Sequence, residues 1–182
     1  MKALLSIAVI LSLAPLVCRA QTRFSAESQN LISRNKTTPT IIGFLSSGNK
    51  NVGIFGWFFV NQYWAESYVG PTIRIAPCLQ IGTGVGLEQS NNPLRYGGFI
   101  GLGNAKYQSL TLLETGGSGF WYRVTVNCPI QKWCGIGAIA EKKLGGGPRF
   151  QINIPKNPVQ FRIAQLVKNG NQSTYLSVKF NL

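Results

Sequence analysis

The stretch PRFQINIPKNPVQFRIAQLV, residues 148–167, alternates apolar and polar residues on both sides of a Pro-Lys-Asn-Pro turn. Before the turn the apolar residues share one parity: Phe150, Ile152 and Ile154. After the turn the same alternation returns: Val159, Phe161 and Ile163. Because successive side chains of a strand point to opposite faces, the pattern predicts a β-hairpin with one apolar face and one polar, cationic face. Which of these faces turns inward decides the class of protein.

The first twenty residues have the layout of a secretory signal peptide. Lys2 is followed by an apolar run to about Val17, and Cys18-Arg19-Ala20 offers small residues for cleavage after Ala20. The apolar run is shorter than the roughly 20 residues that a spanning helix requires. Lipidation of Cys18 is the alternative, although Pro15-Leu16-Val17 lacks the residues that a lipoprotein signal places there. We therefore expect an exported chain of bacterial type.

Composition restricts the possible functions of the mature chain. The formal charge is +13, which falls by two, to +11, when Lys2 and Arg19 leave with the signal peptide. All five acidic residues are glutamates, and the sequence contains no histidine. An exported chain without a clustered basic helix is not expected to bind nucleic acid, so the positive charge indicates attraction to anionic surfaces or solutes.

Strand-like runs of roughly 8 to 11 residues, separated by short turns, follow one another through most of the chain. Residues 21–38 carry no period-2 pattern, and we expect there a flexible N-terminal segment or a short surface helix that begins near Ser25. Residues 39–182 are predicted to form an antiparallel up-and-down β-barrel, because the connections leave no room for crossover helices. About ten strands is the best count, and eight to twelve remain compatible with the pattern.

Polar residues of the predicted barrel include many ionisable groups. We expect the following side chains to form a basic and acidic network inside the lumen: Arg74, Arg95, Arg123, Arg149, Arg162, Lys179, Glu66, Glu88 and Glu114. Aromatic residues concentrate near strand ends and turns, as the interfacial girdles of membrane barrels require. Both observations favour an apolar outer face in contact with lipid. The alternative is a soluble, lipocalin-like barrel, periplasmic or secreted, whose apolar face lines a ligand cavity.

The last strand, TYLSVKFNL at residues 174–182, ends the chain within an amphipathic pattern. It resembles the C-terminal strand of bacterial outer-membrane β-barrel proteins, in which a terminal aromatic or apolar residue is read by the barrel-insertion machinery. The resemblance implies that Tyr175, Phe180 and Leu182 form this insertion signal. It also implies outer-membrane lipid as the environment and the insertion machinery as a partner.

Catalysis is not expected, since the chain has neither histidine nor aspartate and no Ser-His-Asp triad can be assembled. Glutamate pairs are better explained as partners of the arginines than as an acid–base pair. We predict no metal site and no cofactor, because cysteines and scattered glutamates make no recognisable ligand set. Cys128 and Cys134 flank the turn of CPIQKWC and are a possible disulfide in an oxidising compartment, or else two separate thiols.

The sequence thus predicts a small, non-enzymatic outer-membrane barrel. Its role is either structural or adhesive, or that of a narrow conduit that favours anionic solutes. The pattern does not determine its oligomeric state.

Overall fold

The computed structural model describes residues 21–34, 36–49 and 51–182, so the predicted signal peptide lies outside the described residues. The described chain forms twelve strands: β1 (Gln21–Ser33), β2 (Lys36–Gly48), β3 (Val52–Asn61), β4 (Ala65–Ala76), β5 (Leu79–Glu88), β6 (Leu94–Gly103), β7 (Gln108–Gly116), β8 (Trp121–Gln131), β9 (Cys134–Glu141), β10 (Gly145–Asn153), β11 (Val159–Lys168) and β12 (Asn171–Asn181). Among these residues, no helix is long and apolar enough to cross a membrane.

Every strand pairs antiparallel with its neighbour in the chain, and β1 pairs with β12 to close the barrel. The predicted antiparallel up-and-down barrel is therefore confirmed, with twelve strands instead of ten. We call the end that holds the chain termini the terminal mouth and the opposite end the distal mouth. The distal mouth is formed by the turns β1–β2, β3–β4, β5–β6, β7–β8, β9–β10 and β11–β12.

The first strand corrects the expectation of a flexible segment over residues 21–38. β1 is hydrogen-bonded on both sides, to β2 and to β12, with Leu31 opposite Thr38 and Tyr175. Its sequence does not alternate apolar and polar residues, because both faces of the strand are polar. Glu27 and Gln29 point into the lumen, and Ser28 and Asn30 point to the outside. Backbone pairing with two neighbours, not its own hydrophobic pattern, thus fixes this strand.

The hairpin of residues 148–167 shows which face of the sheet turns inward. Phe150 and Ile152 on β10 are 38% and 41% exposed on the outside, whereas Arg149 and Gln151 are 8% and 6% exposed in the interior. All twelve strands carry at least one exposed large apolar side chain, and together these residues form an outer apolar belt. A closed barrel with an apolar exterior is the arrangement of a transmembrane barrel, and a soluble barrel requires the opposite arrangement.

Glycines on the lumen side of β5 and β6 make room for large aromatic side chains. A methyl group on Gly82 would come within 2.4 Å of the Phe99 ring, and one on Gly97 within 2.8 Å of the Tyr68 ring. These glycines stand at polar-parity positions where the sequence otherwise predicts larger side chains. Because glycine has no side chain, the aromatic rings of other residues can occupy this part of the lumen.

That core forms two clusters inside the barrel. The larger is built by β2 to β7 and consists of Ile42, Phe55, Trp57, Tyr68, Phe99 and Leu112. The smaller consists of Ile139, Ala164, Leu166 and Tyr175 on β9, β11 and β12. The interior is therefore apolar as well as charged, which the alternation rule alone did not predict.

Candidate functional site

One guanidinium group and three carboxylates are buried together near the distal mouth. Arg95 is 2% exposed and its Nε lies 3.1 Å from Oε2 of Glu66, while its Nη2 lies 2.6 Å from Oε2 of Glu114. Its Nη1 is also paired with Glu88, so the guanidinium group contacts all three carboxylates. The structure thus brings together four of the residues that the sequence assigns to a lumen network.

Strand register explains how these groups meet. Glu66 on β4 stands directly opposite Glu88 on β5, and Arg95 on β6 stands opposite Gly86 and Gly116. Since neither glycine has a side chain, the guanidinium group has open space to reach carboxylates on three different strands. The positions of Gly86 and Gly116 opposite Arg95 therefore allow this cluster to form.

Neutral donors complete the coordination of the carboxylates. Tyr68 donates its hydroxyl to Glu114 at 3.0 Å, and Trp64 donates its indole N–H to Glu66 at 2.8 Å. Ser118, in the β7–β8 turn, donates its backbone N–H to Glu88 at 2.5 Å and its hydroxyl at 2.8 Å. These bonds stabilise a cluster in which three carboxylates face one guanidinium group, and they hold the β7–β8 turn against the lumen.

A second ion pair joins β8 and β9, where Arg123 stands opposite Glu141. The Arg123 Nη2 lies 2.7 Å from Oε2 of Glu141, and both side chains are buried. The sequence predicted the arginine but not the glutamate. Counting outward from Gln131 opposite Cys134 would place Lys142 opposite Arg123, and the register shift between Pro129 and Gln131 brings Glu141 there instead.

The third ion pair lies at the seam between the first and last strands. Arg162 on β11 donates to Glu27 on β1 at 2.8 Å, and the Tyr175 hydroxyl donates to the same carboxylate at 2.6 Å. Gln151 accepts a hydrogen bond from Arg162 Nε at 3.2 Å. Glu27 was missed because its segment was predicted to be flexible.

Four cations in the terminal part of the lumen lack an ion pair among the described residues: Arg23, Arg74, Arg149 and Lys179. Arg149 is buried, its Nη2 donates to Gln151 at 3.4 Å, and its Nε has no hydrogen-bond partner. Arg74 is exposed near the terminal mouth, and Lys179 is half-buried opposite Glu27 and Gln160. These are the cationic groups available to a solute.

Charge is therefore unevenly distributed along the lumen. Towards the terminal mouth lie Arg23, Arg74, Arg149, Arg162 and Lys179 with Glu27, so five cations face one carboxylate. Near the distal mouth lie Arg95, Arg123 and Lys143 with Glu66, Glu88, Glu114 and Glu141, so three cations face four carboxylates. The terminal part of the lumen is net positive and the distal part is net negative.

Aromatic rings fill much of the space between these regions. Ring centroids lie 4.9 Å apart for Phe55 and Phe99 and 5.0 Å apart for Trp57 and Tyr68. We call these four residues the aromatic plug. On its distal side a cavity of about 200 Å³ is lined by Trp64, Glu66, Arg95 and Arg123, among other residues. The segment VGIFGWFFV, apolar on both parities, was the sequence signal for an aromatic interior.

The predicted cysteine pair is not bonded in the structure. Cys128 and Cys134 are free thiols, the first exposed and the second buried. Cys128 stands opposite Ile136, and Cys134 stands opposite Gln131 after a register shift. Since a cross-strand disulfide requires close Cβ atoms, residues on different rungs of the ladder do not meet its geometry.

The three residues of the predicted insertion signal do not share one face. Phe180 and Leu182 are exposed, whereas Tyr175 is buried in the lumen and bonded to Glu27. Recognition of Phe180 and Leu182 by insertion machinery stays a prediction. No group of three or more potential metal ligands with suitable geometry occurs in the described ranges.

The barrel resembles several solved bacterial channels. The KdgM porin is 12% identical with a TM-score of 0.63, and the match covers 86% of this chain and 98% of that chain. The NanC porin is also 12% identical, with a TM-score of 0.53 and coverage of 86% and 100%. An outer-membrane channel from Pseudomonas putida F1 is 8% identical, with a TM-score of 0.50 and coverage of 89% and 94%. The predicted resemblance to outer-membrane barrels is thus confirmed at the level of fold.

No protein-family model matches the chain, and no curated protein matches it at a significant level. The apolar belt and the shared fold together agree with the predicted outer-membrane location.

Proposed function

We propose that this protein is a narrow outer-membrane conduit of low conductance that favours anions, and that it is not an enzyme. The uneven distribution of charge along the lumen carries the proposal. Five cations face one carboxylate in the part of the lumen that opens at the terminal mouth. A low-dielectric wall focuses the field of such uncompensated charges and raises the local concentration of anions.

The cations differ in how they would contribute. Arg74 is exposed and Lys179 is half-buried, so both are accessible to a solute that enters from the terminal mouth. Arg162 is partly neutralised by Glu27 at 2.8 Å, whereas Arg149 keeps an unpartnered buried N–H group deeper in the barrel. An entering anion would therefore meet Arg74 and Lys179 first and Arg149 last.

The packed interior supports a low conductance. A barrel of about eight strands is filled by its own side chains, and twelve strands leave more room, so any narrowing depends on the residues inside. Here the aromatic plug and the Arg95 cluster occupy the section between the cationic region and the distal mouth. Passage of a solute requires these side chains to move, so the open state is expected to be rare or narrow.

One structural neighbour agrees with the proposed class of solute. The KdgM porin has also been solved in complex with disordered oligogalacturonate, and this structure matches 86% of the chain with a TM-score of 0.59. Oligogalacturonate is a polyanion. An anionic oligosaccharide is therefore a reasonable solute to test on this chain, along with small anions such as chloride.

Reversal potentials in planar lipid bilayers under a potassium chloride gradient test the proposal. The wild-type barrel is expected to give small, anion-selective currents. Replacing Arg74→Gln and Lys179→Gln together should reduce the anion preference, since both cations line the entrance. Replacing Lys142→Gln and Lys168→Gln, which removes two charges at the distal rim and leaves the terminal entrance intact, is the matched control. Reproducible cation-selective wild-type currents would contradict the proposal.

A structural or adhesive role is the second candidate, and the packed lumen favours it. If neither the wild-type barrel nor a variant with a reduced aromatic plug carries current, the conduit proposal fails and the structural role is preferred. Insertion into outer-membrane lipid is common to both candidates.

A further inference from the structure

Basic residues are concentrated on one side of the distal rim. The turns β9–β10, β11–β12 and β1–β2, which are neighbours around the barrel, and the strand ends beside them carry five cations: Arg34, Lys36, Lys142, Lys143 and Lys168. The other three distal turns, residues 62–64, 89–93 and 117–120, contain no charged residue. We call the five cations the cationic arc. On the terminal side, by contrast, the turns hold lysines singly, as at Lys106, Lys132 and Lys156.

No carboxylate offsets this arc. All five glutamates of the chain lie on strands with their side chains inside the lumen. Within the arc, Lys168 Nζ donates to the backbone oxygen of Lys142 at 2.5 Å. Lys142 Nζ donates to the backbone oxygen of Phe120 at 2.7 Å and lies 5.3 Å from the centre of its ring. Neighbouring turns are thus joined into a positive edge beside an aromatic residue.

An apolar groove of about 300 Å³ lies on the outer surface of the strands that end at this arc. Its apolar lining comes from β10, β11 and β12: Phe150, Ile152, Phe161, Ile163, Leu176 and Val178. Ser28 and Asn30 of β1 form its polar edge. Neither side chain has a hydrogen-bond partner within the described chain, although polar groups without partners are costly in contact with hydrocarbon. The groove therefore differs from the rest of the outer apolar belt in having two polar side chains at its edge.

The groove and the arc are separated by a distance that one lipid can span. Phe150, Ile163 and Leu176 each lie five residues from the distal end of their strand. At about 3.3 Å per residue this corresponds to about 17 Å along the strand. One leaflet of a bilayer contributes roughly 15 Å of hydrocarbon, half of the core. An acyl chain whose headgroup lies at the arc therefore reaches the groove.

We propose that the cationic arc and the groove form one binding site for an anionic lipid. The phosphate of the headgroup binds the arc, one acyl chain occupies the groove, and Ser28 and Asn30 face the polar linkage between them. Charge complementarity selects this occupant. A second copy of the barrel would bring a positively charged edge against another, whereas juxtamembrane lysines and arginines attract anionic headgroups. The groove lies outside the lumen, whereas Lys143 of the arc also lines the distal cavity. Lipid binding does not depend on conduction.

Native mass spectrometry of the purified barrel in detergent tests this site. The probes are phosphatidylglycerol and phosphatidylcholine with identical acyl chains, with inorganic phosphate as competitor. We expect the barrel to retain more phosphatidylglycerol than phosphatidylcholine. The triple variant Lys142→Gln, Lys143→Gln and Lys168→Gln should lower this retention by about tenfold or more. The matched control removes three lysines from terminal turns: Lys106→Gln, Lys132→Gln and Lys156→Gln.

The groove has its own variant. Ile163→Trp, which fills the groove and leaves every charge in place, should lower phosphatidylglycerol retention, whereas Ile73→Trp on the opposite side of the belt should not. Equal loss in both lysine variants would show general electrostatic attraction and overturn the proposal. Unchanged retention in Ile163→Trp, or displacement of the lipid by an equal concentration of inorganic phosphate, would also overturn it. The proposal is supported if the control with Lys106, Lys132 and Lys156 replaced still retains phosphatidylglycerol, whereas the arc variant and Ile163→Trp lose it.

Discussion

Glu27 in the first strand and Arg162 in the eleventh are joined at 2.8 Å across the seam where the barrel closes. Their side chains are 13% and 12% exposed, so the pair is largely shielded from water. Loss of one member of a buried pair leaves the other charge without compensation, which is usually more costly than loss of both. The seam therefore depends on a specific ionic contact in addition to backbone pairing.

We expect Glu27→Gln to lower the free energy of unfolding by roughly 3 kcal/mol, because Arg162 is left unpaired. The measurement is denaturant unfolding of the lipid-reconstituted barrel, followed by the mobility shift between folded and boiled protein. The double variant Glu27→Gln with Arg162→Gln should recover part of the loss. A stability of Glu27→Gln equal to that of the wild type would show that the pair contributes little.

Ile152→Arg tests the outer face of the barrel. The side chain is 41% exposed within the apolar belt, so a guanidinium group there should destabilise the inserted barrel by about 2–4 kcal/mol. Ile152→Leu, which keeps the position apolar, is the control. If Ile152→Arg unfolds at the same denaturant concentration as Ile152→Leu, this position does not contact lipid.

Gln151→Leu tests the neighbouring lumen position. Gln151 accepts hydrogen bonds from Arg162 and Arg149 and donates one to Asn153 at 2.6 Å. Its replacement leaves buried donors unsatisfied, and we expect a loss of roughly 1–3 kcal/mol in unfolding free energy. The same unfolding experiment measures it, and a neutral effect would contradict the lumen assignment.

Gly82→Ala tests the close contact between glycines and the aromatic plug. Its new methyl group would meet Phe99 at 2.4 Å and Phe55 at 2.9 Å, and such overpacking typically costs about 1–3 kcal/mol. Gly101→Ala on β6, where the nearest heavy atom is 3.7 Å away, is the control and should be nearly neutral. Combining Gly82→Ala with Phe99→Leu should restore part of the stability, and no rescue would indicate another cause.

Trp57→Ala tests whether the aromatic plug limits conduction. Trp57 is 3% exposed and stacks on Tyr68, so its removal opens space in the lumen while the cations remain. Single-channel conductance should increase and the anion preference should keep its sign. Trp133→Ala, at an exposed position in a turn, should leave conductance unchanged. An equal effect of both variants would place the barrier elsewhere.

The sequence predicted the class of fold because period-2 alternation survives in strands such as β10 and β11, where the outer face is apolar and the inner face polar. It failed for β1, whose polar residues lie on both faces, since Ser28 and Asn30 occupy outer positions. It also identified Arg95 and its three glutamates but not the partners Glu27 and Glu141. Ion pairing depends on register across strands, and alternation gives only the face of a residue.

The aromatic interior illustrates a second limit. Trp57 and Tyr68 lie on the polar parity of their strands, yet they pack against each other with centroids 5.0 Å apart. Space for such rings is created by glycines of β5 and β6, which come later in the chain. Only the three-dimensional pairing of strands relates these distant positions.

The closing seam also has a kinetic consequence. Tyr175 and Glu27, which meet there, are 148 residues apart in the chain, so their contact closes one of the longest loops of the fold. Contacts of high sequence separation carry a large loop-closure entropy and tend to form late. Interactions absent from the transition state affect the unfolding rate and leave the folding rate nearly unchanged. We therefore expect the Glu27 carboxylate to lower the unfolding rate of the closed barrel. It should have little influence on the folding rate.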